Sequence, residues 1–175
     1  ISGNTTEAGG TATFTVKLNT EPSANVRIAL SSSDITEGTI PPTTLTFTPA
    51  NYSTNQTVTV TGVNDDIIDG SIVYSIITAA ASSSDVNYNA LDAADVAVTN
   101  TDNDIAGLVI SSVSGNTTEA GGTATFTIKL TCKPNSDVNL TLSSDDSGEG
   151  TVSPTTLNFT SLNWNSIQTV TVTGV

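Results

Sequence analysis

The sequence predicts an all-β chain of tandem immunoglobulin-like antiparallel β-sandwiches, the second of them truncated. Three observations predict it. One passage returns in register: ISGNTTEAGGTATFTVKL at 1–18 is answered by VSGNTTEAGGTATFTIKL at 113–130, and Gly3 to Gly115 sets a period of 112 residues (115 − 3). Apolar and polar residues alternate at period two in run after run, while no segment shows a helical period. Between the runs lie turn-forming clusters such as Ala8-Gly9-Gly10, Glu21-Pro22-Ser23, Pro41-Pro42 and Asp69-Gly70.

The repeat sets the domain organisation. Pro22 answers Pro134, Glu37 answers Glu149, Phe47 answers Phe159 and Val63 answers Val175, with roughly two-thirds of paired positions identical. A period of this length suits an independently folded domain and exceeds that of stacking solenoid units. The expected domains are 1–104, a sandwich lacking its first strand, and 105–175, a sandwich lacking its last strands. The second copy stops where the first enters Asn64-Asp65-Asp66-Ile67-Ile68-Asp69, so the chain reads as a window onto a longer array.

Each strand follows from its alternation. Ala12, Phe14, Val16 and Leu18 point one way against Thr13, Thr15 and Lys17; Val26, Ile28 and Leu30 form the next inward set, Leu45 and Phe47 a third, Val58 and Val60 a fourth. SIVYSIIT at 71–78 is apolar on both faces, as in the middle of a sheet. DVAVTNT at 95–101 closes the first domain and GLVISSV at 107–113 opens the second. About seven short strands per domain is the pattern of an immunoglobulin-like sandwich. The segment 79–89, AAASSSDVNYN, reads as a loop.

Charge narrows the function. Four Lys and Arg stand against 17 Asp and Glu, a formal charge of −13, which excludes a phosphate-backbone ligand and favours cations. There is no His, so Ser-His and Cys-His nucleophile arrangements are excluded along with ordinary Cys/His zinc sites, and the chain is not expected to be an enzyme. Cys132 is the lone thiol and has Thr20 as its counterpart, so no intrachain disulfide forms. No run approaches the ~20 apolar residues of a membrane span.

The acids fall in the loops: Glu7; Asp34 with Glu37; Asp65, Asp66 and Asp69; Asp102 and Asp104 about Asn103. Alternate loops of a sandwich share an end, so these clusters can converge on one pole. Carboxylates brought within ~5 Å repel by amounts that reach kcal/mol at an effective dielectric of about 20, and need protons or cations. Calcium, with six to eight oxygen ligands and tolerant geometry, suits them better than magnesium. Glu37 is explained by its turn with Gly38. The run from Asp65 lacks the acid spacing and flanking helices of an EF-hand.

TEAGGTATFTVKL, TVTVTGVNDDIIDGS and VTNTDNDIAG together resemble a Calx-β domain, a module of sodium–calcium exchanger regulatory regions and of many bacterial surface proteins. The likeness covers the first copy and, up to Val175, the second. It implies calcium held at one end of the sandwich. Carried over by position, it names Glu7, Asp34, Asp65, Asp66, Asp69, the Ile67 carbonyl, Asp102, Asn103 and Asp104 as ligands. Asn64 and Asn103 stand where strong binders carry acids, and Gly70 where further acids often follow, which implies fewer or weaker ions.

The expected function is that of a calcium-binding structural or adhesive repeat of a large secreted or cell-surface bacterial protein, calcium rigidifying its loops and the interdomain junction. Its partners would be adjacent repeats, neighbouring copies, or a cell-surface protein or glycan, with no nucleic acid and no membrane insertion. Two alternatives are a metal-independent spacer or filament subunit completed by strands from neighbouring chains, and a glycan-binding module using Tyr52 or Trp164. The same aromatics, at one repeat position, also suit capping the core beside a turn. Lys17 and Lys129 belong to the outer face by alternation, away from any isopeptide partner. The Asn-x-Thr sequons at Asn4, Asn116, Asn139 and Asn158 are expected by chance in so Asn- and Thr-rich a chain.

Overall fold

A computed structural model describes all 175 residues, Ile1–Val175, and the fold is all β without a helix. The chain forms two units. Ile1–Asp65 with Asp69–Asn103 make the first, and Asp66–Ile68 with Asp104–Val175 make the second.

The first unit contains β1 (Thr5–Thr6), β2 (Thr11–Val16), β3 (Val26–Ser32), β4 (Gly38–Thr39), β5 (Thr44–Phe47), β6 (Gln56–Gly62), β7 (Ile72–Thr78) and β8 (Val96–Thr101). One sheet runs β1-β8-β7-β3-β5 and the other β2-β6-β4. All pairings are antiparallel except β1 with β8, where Thr5 faces Asn100 and Thr6 faces Thr101 in parallel register. The alternation read from the sequence becomes the interior. Phe14, Val58 and Val60 from the smaller sheet pack on Val26, Ile28, Leu30, Leu45, Phe47, Tyr74, Ile76 and Val98 from the larger, giving two layers about one core.

Strand β7 is central, as its composition predicts, but it is buried on one face only. Tyr74 and Ile76 turn inward while Val73 is 69% exposed, because no layer covers the outer side of this sheet. The two-residue strands β1 and β4 escape prediction, being too short to show a period. Segment 79–89 contributes no strand. Its Asp85 carboxylate accepts the Ser23 and Asn87 N–H groups at 2.7 and 2.9 Å, and Tyr88 OH donates to the Thr20 carbonyl at 2.6 Å, pinning the loop.

The second unit contains β9 (Leu108–Ile110), β10 (Thr123–Leu130), β11 (Val138–Thr141), β12 (Gly150–Ser153), β13 (Thr156–Phe159) and β14 (Gln168–Gly174). Its sheets run β12-β14-β10-β9 and β11-β13. Ile128, Leu130, Leu157, Phe159 and Val170 form its core, with Trp164 packed against it. Trp164 repeats the place of Tyr52: the Leu130 N–H donates to the Trp164 carbonyl as Leu18 donates to Tyr52. Both aromatics lie against their cores at a turn. Cys132 is a buried free thiol.

Candidate metal centre

Strand direction gathers the acids of the first unit. β3 and β6 run out into the loops holding Glu37 and Asp65, β1 and β8 end beside Glu7 and Asp102, and antiparallel β7 is entered just after Asp69. The carboxylate oxygens of Glu37, Asp65 and Asp69 lie within 4.8 Å of one another, and so do those of Glu7 and Asp102. Glu7 and Glu37 are buried, at 3% and 5% exposure.

Hydrogen bonds brace these loops against one another. The Gly70 N–H donates to Asp102 Oδ2 at 2.8 Å, and the Asn103 N–H to Glu7 Oε2 at 3.0 Å. The Asn103 amide donates to Asn64 Oδ1 at 3.2 Å, and the Asn64 amide to the Asp65 carbonyl at 2.6 Å. Two asparagines thus stitch the acidic run to the end of β8.

Electrostatics mark the middle of the cluster. Burial raises the Glu37 carboxyl above its ordinary range, an Asn100 hydrogen bond partly offsets this, and the charges of Asp69, Asp34 and Asp65 raise it further. Asp69 is exposed, and its carboxyl is raised by partial desolvation and then by the charges of Asp65 and Asp102. Asp69 therefore feels both carboxylate groups, and the acids crowd one pole. Asp34 differs. The Thr36 hydroxyl and N–H donate to its Oδ1 at 2.6 and 2.9 Å, lowering its pKa and engaging that oxygen in a local turn.

The other positions named by the sequence lie as follows. Asp34 is half-buried and belongs to neither carboxylate group. Asp66 and Ile67 belong to the second unit, where the Lys133 N–H donates to the Asp66 carbonyl at 2.7 Å and Ile67 bridges Lys133 in parallel. The Asp66 side chain is exposed. Asn103 is exposed, and Asp104, the first residue of the second unit's main segment, is half-buried.

Glu37 is the residue that sequence reasoning passes over. Its local sequence, Glu-Gly-Thr, recurs at Glu149, which is exposed, so no local signal separates a buried acid from a solvated turn. What differs is the burial supplied by β7 and β8.

The donor set of Glu37, Asp65 and Asp69 is all oxygen, the choice of a hard cation. Calcium–oxygen bonds of ~2.3–2.6 Å place opposite ligands about 4.6–5.2 Å apart, so oxygens within 4.8 Å of one another fit around a calcium ion. No helix of the chain is long and apolar enough to cross a membrane.

No family model matches the chain, and no curated protein does. Several solved structures are similar to it, two of them as follows. The crystal structure of CBD12 from CALX1.2 is 15% identical with a TM-score of 0.45, covering 98% of this chain and 72% of that one. The crystal structure of calcium binding domain CBD12 of CALX1.1 is 15% identical with a TM-score of 0.43, covering 99% of this chain and 72% of that one.

Proposed function

We propose that the chain is a calcium-binding structural module and that its ion lies in the first unit among Glu37, Asp65 and Asp69, with Glu7 and Asp102 at the same pole. The convergence of the three carboxylates within 4.8 Å, one of them buried, carries the reading. In this role calcium relieves the mutual repulsion of the loops and ties the ends of β3, β6 and β7 together. The tandem layout and the acidic, His-free composition support placing the module in a secreted or cell-surface protein, with a structural or adhesive role. Adjacent repeats, neighbouring copies or surface glycans would be its partners.

Ligand binding to the folded state alone stabilises it by about 2.7 kcal/mol at a hundredfold excess over Kd. The test is isothermal calorimetry with calcium, alongside melting in calcium and in chelator. Heat of binding and a raised Tm in calcium are expected. Identical melting in both and no heat would sink the reading.

A second reading, a self-assembling subunit completed by strands from neighbouring copies, has one observation in its favour. Strand β9 lies at the edge of its sheet, pairs only with β10, and leaves Leu108, Val109 and Ile110 about half exposed. An open strand edge accepts further strands. Association that grows with concentration in sedimentation, with or without calcium, is its mark; a monomer at every concentration counts against it.

A further inference from the structure

Behind Glu37 lies a polar chain inside an otherwise apolar core. Thr5, Asn100 and Tyr74 are 0, 1 and 3% exposed, and Glu37 is 5% exposed. Asn100 Nδ2 donates to Glu37 Oε2 at 3.3 Å and to the Val63 carbonyl at 3.0 Å. The Thr5 hydroxyl donates to Asn100 Oδ1 at 3.0 Å, and Tyr74 OH lies 3.3 Å from Thr5 Oγ1. The direction of this chain is fixed by its ends. A carboxylate and a carbonyl only accept, so Asn100 must turn its NH2 toward them and its oxygen toward Thr5. With the Thr5 proton engaged, Tyr74 is left to donate to Thr5.

Buried polar groups cost stability unless fully partnered, so a chain of four in one core needs a reason. Two glycines lie against it. A Cβ at Gly38 would collide with the Tyr74 hydroxyl, and one at Gly62 with Asn100 Oδ1 and the Thr6 carbonyl. The second unit supplies an internal control. It repeats these positions as Thr117, Glu149, Gly150 and Gly174 but has no equivalent of β7 or β8, hence no Tyr74 or Asn100. There Glu149 is exposed, and a Cβ on Gly150 would meet nothing nearer than the Thr173 carbonyl at 3.6 Å, whereas one on Gly174 would still strike the Thr118 carbonyl, so Gly38 is the glycine that the polar chain itself requires.

We propose that Asn100 is a positioning residue for the ion site: locked by Thr5 and Tyr74, its amide holds the Glu37 carboxylate against Asp65 and Asp69. The inference rests on the calcium reading above. Asparagine is the side chain that does this at a buried position, because it offers two donors on one side and an acceptor on the other without adding charge. An aspartate there would set another carboxylate against Glu37. The relay also links the ion site to three neighbouring strands of the larger sheet, since Tyr74 comes from β7, Asn100 from β8 and Thr5 from β1.

The test uses the full chain with calcium chloride as titrant. Thr5→Val keeps the shape and removes the hydroxyl, and Thr5→Ser keeps the hydroxyl. Asn100→Leu removes the amide itself. Each is read by calorimetric Kd for calcium and by Tm in chelator. The loss of an oriented hydrogen bond to a charged group predicts calcium binding weakened about tenfold by Asn100→Leu and several-fold by Thr5→Val, with Thr5→Ser near wild type. A purely structural network would lower the chelator Tm and leave Kd unchanged. Thr5→Val at wild-type Kd overturns the positioning role and leaves the calcium reading standing; absence of calcium binding by the wild type overturns both. Should Asn100→Leu fail to fold, the comparison of Thr5→Val with Thr5→Ser decides alone.

Discussion

Glu37 and Glu149 share the same neighbours in sequence and differ in everything around them. The first is buried among Asp65, Asp69 and Asn100; the second is in water. Glu37→Gln should therefore act in two directions. In calcium it removes a ligand, weakening binding by about tenfold or more; in chelator it removes a buried charge from a crowded group and raises Tm. Glu149→Gln should change neither. The pH dependence has the same origin. Because Glu37 and Asp69 titrate above their ordinary values of 4.5 and 3.8, the folded chain holds their protons more tightly than the unfolded chain. Their contribution favours folding at low pH and is lost as pH rises through the raised values. Asp34 and Asp85 titrate below 3.8, so theirs is present above that value and disappears as pH falls through the lowered ones. The chelated protein should thus lose stability as pH rises through the raised Glu37 and Asp69 values, and Glu37→Gln should flatten that loss. A chelator Tm with the same pH profile in the wild type and in Glu37→Gln would contradict this.

At the scale of elements, what the sequence reveals is what repeats at period two. β2, β3, β5 and β6 are legible because Phe14, Val26, Ile28, Leu45, Phe47, Val58 and Val60 alternate with polar residues and all become buried. β1 and β4 are not legible, since two residues have no period and their pairing comes from β8 and β6, far along the chain. The site is divided in the same way. Acids in loops can be listed from the sequence, but which of them meet depends on strand direction and on the polar chain from β1, β7 and β8. That dependence is testable at Gly62, the last residue of β6, where a Cβ would strike Asn100 Oδ1 and the Thr6 carbonyl. Gly62→Ala is expected to cost about 1–3 kcal/mol, as overpacking does. Gly115→Ala, with nothing within 4 Å of its Cβ, should be neutral. Chemical unfolding of the two variants in chelator separates these outcomes.

At the scale of the whole molecule, the two units are unequal in core and in charge. Trp164, the single tryptophan, packs on the core of the second unit, while the grouped carboxylates of Glu37, Asp65 and Asp69 belong to the first. Tryptophan fluorescence should then report a melting transition that calcium leaves in place, and far-ultraviolet dichroism should show a further transition that calcium moves upward. A calcium shift seen only in the tryptophan signal would contradict the assignment of the ion to the first unit. The passage SGNTTEAGGTATFT stands at 2–15 and again at 114–127, letter for letter, yet Glu7 within it is buried and Glu119 is exposed. Gene conversion that overwrote one copy of this stretch with the other would be silent. A change in ion binding must therefore come from residues outside this stretch, among them Glu37, Asp65, Asp69 and Asn100.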